Sequence, residues 1–160
     1  LFLKQLVDHE PLTITDPAMT RFLMSLDDSV NLVLHAFSNA NPGDIFVQKS
    51  PASTIGDLAI AMQELFNVSG EPKVIGTRHG EKLYETLVSR EEMLRVQDMA
   101  GYFRVPADSR DLNYDQYFVQ GEQALSSTED YTSHNTTRLT IPEIKTTLRK
   151  LDFVKEALHV

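Results

Sequence analysis

Cysteine is absent from all 160 residues. That excludes a disulfide framework, thiolate metal sites and a cysteine nucleophile, and it fits a reducing, cytoplasmic setting. Positive charge is scarce: 15 Lys and Arg against 23 Asp and Glu leave a net charge of −8. Nucleic-acid binding needs a basic footprint, which this chain lacks. An anionic ligand remains compatible if a few cations gather in one place. No apolar run approaches a membrane span, and no signal-peptide pattern opens the sequence. Neither G-x-G-x-x-G nor G-x-x-x-x-G-K-[ST] occurs, so this stretch carries no dinucleotide or P-loop cradle. The hydrolase elbow G-x-S-x-G is missing as well.

There is no methionine at position 1, and Leu1, Phe2, Leu3, Leu6 and Val7 have the spacing of a helix's apolar stripe. The sequence is expected to be a piece cut within or just before a helix. With 41% apolar and 24% charged residues it suits one modest folded domain. "PLTIT", "TRFLMS", "IFVQ", "KVIGT", "KLYETLVS" and "GYFRVPA" read as short strands. Ser25 with Asp28, and Thr54 with Asp57, mark helix starts. The first of these helices presents Val30, Val33, Leu34 and Phe37, the second Ile55, Leu58, Met62, Leu65 and Phe66. "REEML" suggests one helical turn, and "SSTEDYTSHNTT" an extended loop. "TIPE" at Thr140 caps a last helix with the stripe Ile144, Leu148, Leu151 and Leu158. Short strands alternating with helices predict an α/β or α+β fold, a small mixed sheet with flanking helices.

The most unusual stretch is "GTRHGEKLYETLVSREE", Gly76 to Glu92. A cation stands beside a glycine where a strand should end. Arg78 and Arg21 offer forked donors suited to phosphate oxygens. Gly80 permits a tight turn or close ligand approach, and Glu81 can hold a sugar hydroxyl. Together they could clamp a sugar nucleotide. The plainer reading is a charged surface turn in which Arg78 pairs with Glu81 or Glu85. His79 could act as an acid or base, or merely stand in the loop. The spacing of His79, Glu81 and Glu85 is not that of a zinc helix, so no metal is expected. His9, His35, His134 and His159 are scattered and are assigned no role. Arg104, Asp108, Arg110 and Asp111 suit either a salt-bridged connector or a subunit contact.

These strings, with "PLTITDPAMTRFLMSLDDSVNLVLHAF", "GDIFVQKSPASTIGDLA" and "GYFRVPADSRDLNY", resemble the C-terminal half of bacterial polysaccharide-biosynthesis nucleotide-sugar enzymes. Those enzymes are extended short-chain dehydrogenases/reductases, and the resemblance runs from Pro11 to at least Tyr114. It is strongest to the capsule and O-antigen branch of inverting UDP-N-acetylglucosamine 4,6-dehydratases with 5-epimerase activity, often labelled UDP-glucose 4-epimerase. It implies residues 1–107 as the substrate-binding half and 108–160 as a C-terminal extension. It implies NAD(P) and the catalytic residues on a Rossmann half that this piece lacks, with no catalytic residue and no cofactor in the piece itself. It places Thr13, Ile14 and Thr15 near the uracil, Arg21 and Arg78 on the diphosphate, and Glu81 on the ribose. His79, where relatives usually have proline in R-P-G-[DE], and Lys82 would flank the ligand. The implied partners are a UDP-sugar and further copies in a homo-oligomer, without nucleic acid or a membrane span. A simple UDP-sugar 4-epimerase and a non-catalytic binding or assembly module are the competing readings.

Overall fold

A computed structural model describes residues 1–107 and 127–158. Asp108, Arg110, Asp111 and Tyr114 lie outside the described residues, as does His159. The chain is α/β, with small sheets and flanking helices, and it divides into two units built from interleaved stretches.

The first unit holds Leu1–Leu23, Pro51–Glu85 and Thr137–Val160. Its helices include α1 (Phe2–Val7) and α3 (Ile55–Leu65). Its strands are β1 (Thr13–Ile14), β2 (Thr20–Phe22), β4 (Ala52–Thr54) and β5 (Lys73–Val74). β1 pairs parallel with β5, and β2 antiparallel with β4. Ala52 also exchanges backbone bonds with the chain at Thr137 and Leu139, both 2.9 Å. Thr54 caps α3 by accepting from the Asp57 N–H at 2.9 Å. Leu6, Leu12, Ile14, Ala59 and Met62 form the core beneath β1, with Phe2, Leu3 and Leu148 packed against it. Each such large apolar side chain contributes about 1.5–3 kcal/mol by leaving water. Within the opening stripe only Leu6 is buried, while Leu1 and Val7 are exposed.

The expected single last helix is two, α5 (Ile141–Leu148) and α6 (Asp152–Leu158). The backbone N–H groups of Lys150 and Leu151 reach back only three residues, to Thr147 and Leu148, tightening the final turn of α5. The break resets the helical phase. Ile144 and Val154 are therefore fully buried, while Leu158 lies at the surface.

The second unit holds Met24–Ser50 and Thr86–Thr136. It contains α2 (Leu26–Asn39), β3 (Ile45–Gln48), β6 (Thr86–Val88), α4 (Arg90–Met93), β7 (Gln97–Met99), β8 (Tyr102–Val105) and β9 (Tyr131–Thr132). β3, β8 and β7 make a three-stranded antiparallel sheet. β6 pairs with β9 across an irregularity between Thr86 and Val88. Ser25 and Asp28 form the capping box predicted for α2, and Ser89 with Glu92 does the same for the single turn of α4. None of the residues of α2 is buried among the described residues.

Asp44 ties the turn before β3 to β8. Its carboxylate accepts from the Asn41 N–H at 2.7 Å and from Arg104 Nε at 2.7 Å, and pairs with Arg104 Nη2 at 2.6 Å. The Asn41 N–H, and next Arg104, hold the Asp44 carboxyl below its ordinary value against the opposing effect of desolvation. A carboxyl depressed in the folded state adds stability that is complete above its unfolded pKa of about 4 and is lost as pH falls through the folded value. Asp44→Asn is therefore expected to melt lower than wild type at neutral pH, with the gap closing toward pH ~2. Thermal melts across that range check this, and a pH-independent gap would contradict it.

Candidate functional site: a basic turn at the end of a parallel strand pair

Because β1 and β5 are parallel, both leave their pair at the same end, and the Ile75 N–H donates to the Ile14 carbonyl at 2.8 Å. Thr15 and the segment from Gly76 to Arg78 thus emerge side by side. In α/β sheets the carboxyl ends of parallel strands are where ligands collect. Gln5 steadies the first strand: its Nε2 donates to Thr13 Oγ1 at 2.8 Å, and its Oε1 accepts from the Thr13 N–H at 3.3 Å. As an acceptor there, the Thr13 hydroxyl keeps its own hydrogen to donate. Ile14 is buried in the core, and the Thr15 hydroxyl donates to Met19 Sδ at 3.3 Å.

After Gly76, at φ +84, the chain makes a tight turn over Arg78, His79, Gly80 and Glu81. The Glu81 N–H donates to the Arg78 carbonyl at 3.1 Å, and Gly80 has φ +83. A positive φ at the third position defines a type II turn, whose second position favours proline. His79 occupies that second position. No added Cβ at Gly80 would meet a neighbour within 4 Å, so the glycine is required by the backbone and not by crowding. His79→Pro is expected to stabilise the chain by about 0.4–1 kcal/mol, because it restricts the unfolded state at a compatible position. Gly80→Ala is expected to cost about 1–2 kcal/mol. Urea unfolding of both variants measures this, and the opposite signs would overturn the turn assignment.

The acids of the turn are engaged elsewhere than on the Arg78 guanidinium. Glu81 Oε2 accepts from the Arg78 backbone N–H at 3.0 Å. Glu85 Oε2 accepts from the Phe22 N–H at 3.2 Å, and Glu85 Oε1 stands 3.9 Å from Arg21 Nε. Among the described residues, no carboxylate lies within ion-pair distance of the Arg78 guanidinium, which is exposed. The plainer reading of a self-paired Arg78 is therefore not the arrangement found. His79 and Lys82 project from the same exposed turn.

Arg21 is placed differently. Its Nη1 donates to the Thr20 carbonyl at 2.7 Å and its Nη2 to the Lys82 carbonyl at 3.1 Å. The Thr20 N–H donates to the Leu83 carbonyl at 2.9 Å. Residues 82–85 thus run along β2 and are not the strand expected for "KLYETLVS", of which only Thr86–Val88 is strand. Arg21 and Glu85 fasten the return leg of the basic turn. Arg21→Lys is expected to loosen that leg, since lysine cannot span two carbonyls. Faster amide exchange at Thr20 and Phe22, whose N–H groups donate to the Leu83 carbonyl and the Glu85 carboxylate, would register the change, and unaltered exchange would contradict it.

Gln5 and Glu85 carry structural roles that the sequence did not assign. Gln5 had one signal, a polar residue on the core side of an apolar helix. Arg104 is committed to Asp44. His35 packs on Tyr102 with ring centroids 4.1 Å apart. An open cavity of about 340 Å³, lined by Leu6, His9, Leu12 and Gln63 among others, includes none of the turn residues. Among the described residues no cluster of His, Asp and Glu suits a metal, and no helix is long and apolar enough to cross a membrane.

Small sheets with flanking helices, and a basic turn at the end of a parallel pair, define an α/β lobe. The chain belongs to the polysaccharide biosynthesis protein family: that family matches residues 1–107, and its C-terminal part matches residues 108–155. Proteins named UDP-glucose 4-epimerase are similar along nearly its whole length. Those of Rickettsia rickettsii and Rickettsia felis are 60% and 59% identical over 158 residues, 99% of this chain. That of Rickettsia bellii is 58% identical over the same span. The chain spans about half the length of these relatives, 46% of each. Its fold is similar to that of Pen from Bacillus thuringiensis, with TM-score 0.74 and 24% identity, covering 94% of this chain and 43% of that one.

Proposed function

We propose that the chain is the UDP-sugar-binding portion of an NAD(P)-dependent nucleotide-sugar enzyme of bacterial surface polysaccharide synthesis, a UDP-N-acetylglucosamine 4,6-dehydratase/5-epimerase. The observation that carries this reading is the Arg78 fork, held out on a type II turn without an acidic partner among the described residues. Arg78 grips the diphosphate, where a bidentate guanidinium both binds and orients. Arg21, after shedding one carbonyl contact, reaches the same phosphates. Glu81 keeps one oxygen for the ribose while the other caps the turn. Thr13 and Thr15 face the uracil, with His79 and Lys82 flanking the ligand. Residues 1–107 form the binding part and 108–160 an extension. The 160 residues hold no dinucleotide cradle, so the cofactor does not fit on them, and this reading places NAD(P) and the catalytic groups on further polypeptide. The site is cytoplasmic in this proposal, and the assembled enzyme is a homo-oligomer.

A UDP-sugar 4-epimerase is the second reading, favoured by the name of the Rickettsia relatives. One chimera separates the two: the portion of the Rickettsia rickettsii protein outside the match, joined ahead of Leu1. With UDP-N-acetylglucosamine and NAD(P), mass spectrometry of the product should find loss of one water. A product of unchanged mass with inverted C4 supports the epimerase. A folded chimera that binds no UDP-sugar leaves the assembly-module reading.

A further inference from the structure

Helices α1 and α3 end in the same way and in the same place. After α1, His9 has φ +55, and the His9 and Glu10 N–H groups turn back to the Leu6 and Gln5 carbonyls at 3.2 and 2.7 Å. After α3, Asn67 has φ +53, and the Val68 N–H turns back to the Gln63 carbonyl at 2.9 Å. Both are left-handed stops that close a helix's C-terminus. The two ends border the open cavity of about 340 Å³, which lies at the end of the β1–β5 pair opposite the basic turn.

The lining has one sign. Helix C-termini carry partial negative charge. Glu10 and Glu71, one shortly after each helix, add carboxylates with no hydrogen-bond or ion-pair partner among the described residues. Gln63 is 8% exposed, and its Nε2 donates to the Gly70 carbonyl at 2.9 Å. A carbonyl only accepts, so this bond fixes the orientation of the amide. Gln63 Oε1 is left as an acceptor without a partner among the described residues. A buried amide oxygen in that position calls for a donor from outside the chain. Leu6 and Leu12, both buried, give the cavity an apolar floor. His9, the other titratable side chain of the lining, is exposed.

We propose that this cavity binds a small aliphatic amine. Its ammonium donates to Gln63 Oε1 and is neutralised by Glu10 and Glu71, while its methylenes lie on Leu6 and Leu12. An ammonium has three donors and no acceptor, which matches a lining of acceptors. The same charges turn away a nucleotide or any other phosphate. The volume is near the lower limit of ligand cavities, so the amine is only a few carbons long. The site is independent of the UDP-sugar reading, which concerns the other end of the strand pair.

Putrescine, titrated at constant ionic strength into the isotope-labelled 160-residue chain, is the test. Saturable NMR shifts are expected at the backbone N–H groups of Glu10 and Glu71 and at the Gln63 side-chain amide. Half-saturation should fall at about millimolar concentration, as suits a ligand of so few atoms. Glu71→Lys, a reversal at an exposed residue, should weaken binding about five- to tenfold without harm to the fold. Butanol, of similar shape but uncharged, should leave those groups still, as should inorganic phosphate. Equal shifts with butanol would reduce the site to an apolar crevice and overturn the proposal. Putrescine shifts spread evenly over the acidic surface, or unaltered in Glu71→Lys, would overturn it too. So would a well-dispersed spectrum with no shift at these groups through tens of millimolar putrescine.

Discussion

Arg78→Ala is expected to weaken UDP-sugar binding by the chimera about 10- to 100-fold, the loss of a charge-assisted contact worth roughly 1.5–3 kcal/mol. The fold should not suffer. The side chain is exposed, and the turn is held by the Arg78 backbone: its N–H to Glu81 and its carbonyl from the Glu81 N–H. Arg78→Lys should recover only part of the affinity, because an ammonium keeps the charge and loses the fork. Binding by calorimetry and stability by urea unfolding separate the two effects. Unchanged affinity in Arg78→Ala would sink the assignment, whatever the stability.

Leu12→Ala should do the reverse, costing about 2–5 kcal/mol of stability through lost burial and the cavity left behind. Leu12 is 1% exposed, and it lies in the core with Leu6, Ile14, Ala59 and Met62. Its carbonyl also accepts from the Lys73 N–H at 2.7 Å, so it stands at the root of the parallel pair that presents the turn. A domain is usually stable by only about 5–15 kcal/mol, so the loss is a large share of the total. A denaturant midpoint close to wild type would mean that β1 is not seated on this core.

Local chemistry was legible in the sequence. Ser25 with Asp28, Thr54 with Asp57 and Thr140 with Glu143 start helices where predicted, because a cap is written within four residues. Gly80 announced a turn for the same reason. The strands β4, β7 and β9 did not declare themselves, since two or three residues carry no periodicity and their partners arrive from distant chain. The split of the last helix depends on how Val154 finds a buried place, which no spacing encodes. For α2 the pattern revealed an apolar face but could not say that Val30, Val33, Leu34 and Phe37 are exposed. At the candidate site the sequence singled out Arg78 and Gly80. The fastening of Arg21 to the Lys82 carbonyl, across 61 positions, needed coordinates.

As proposed above, the basic turn is a nucleotide diphosphate clamp. The most direct measurement is an NMR titration of the 160-residue chain with UDP, then with UDP-N-acetylglucosamine. Saturable shifts confined to Thr13–Thr15, Arg21 and the segment from Gly76 to Lys82 are expected. A well-dispersed spectrum in which those residues stay still, through millimolar UDP, would contradict it.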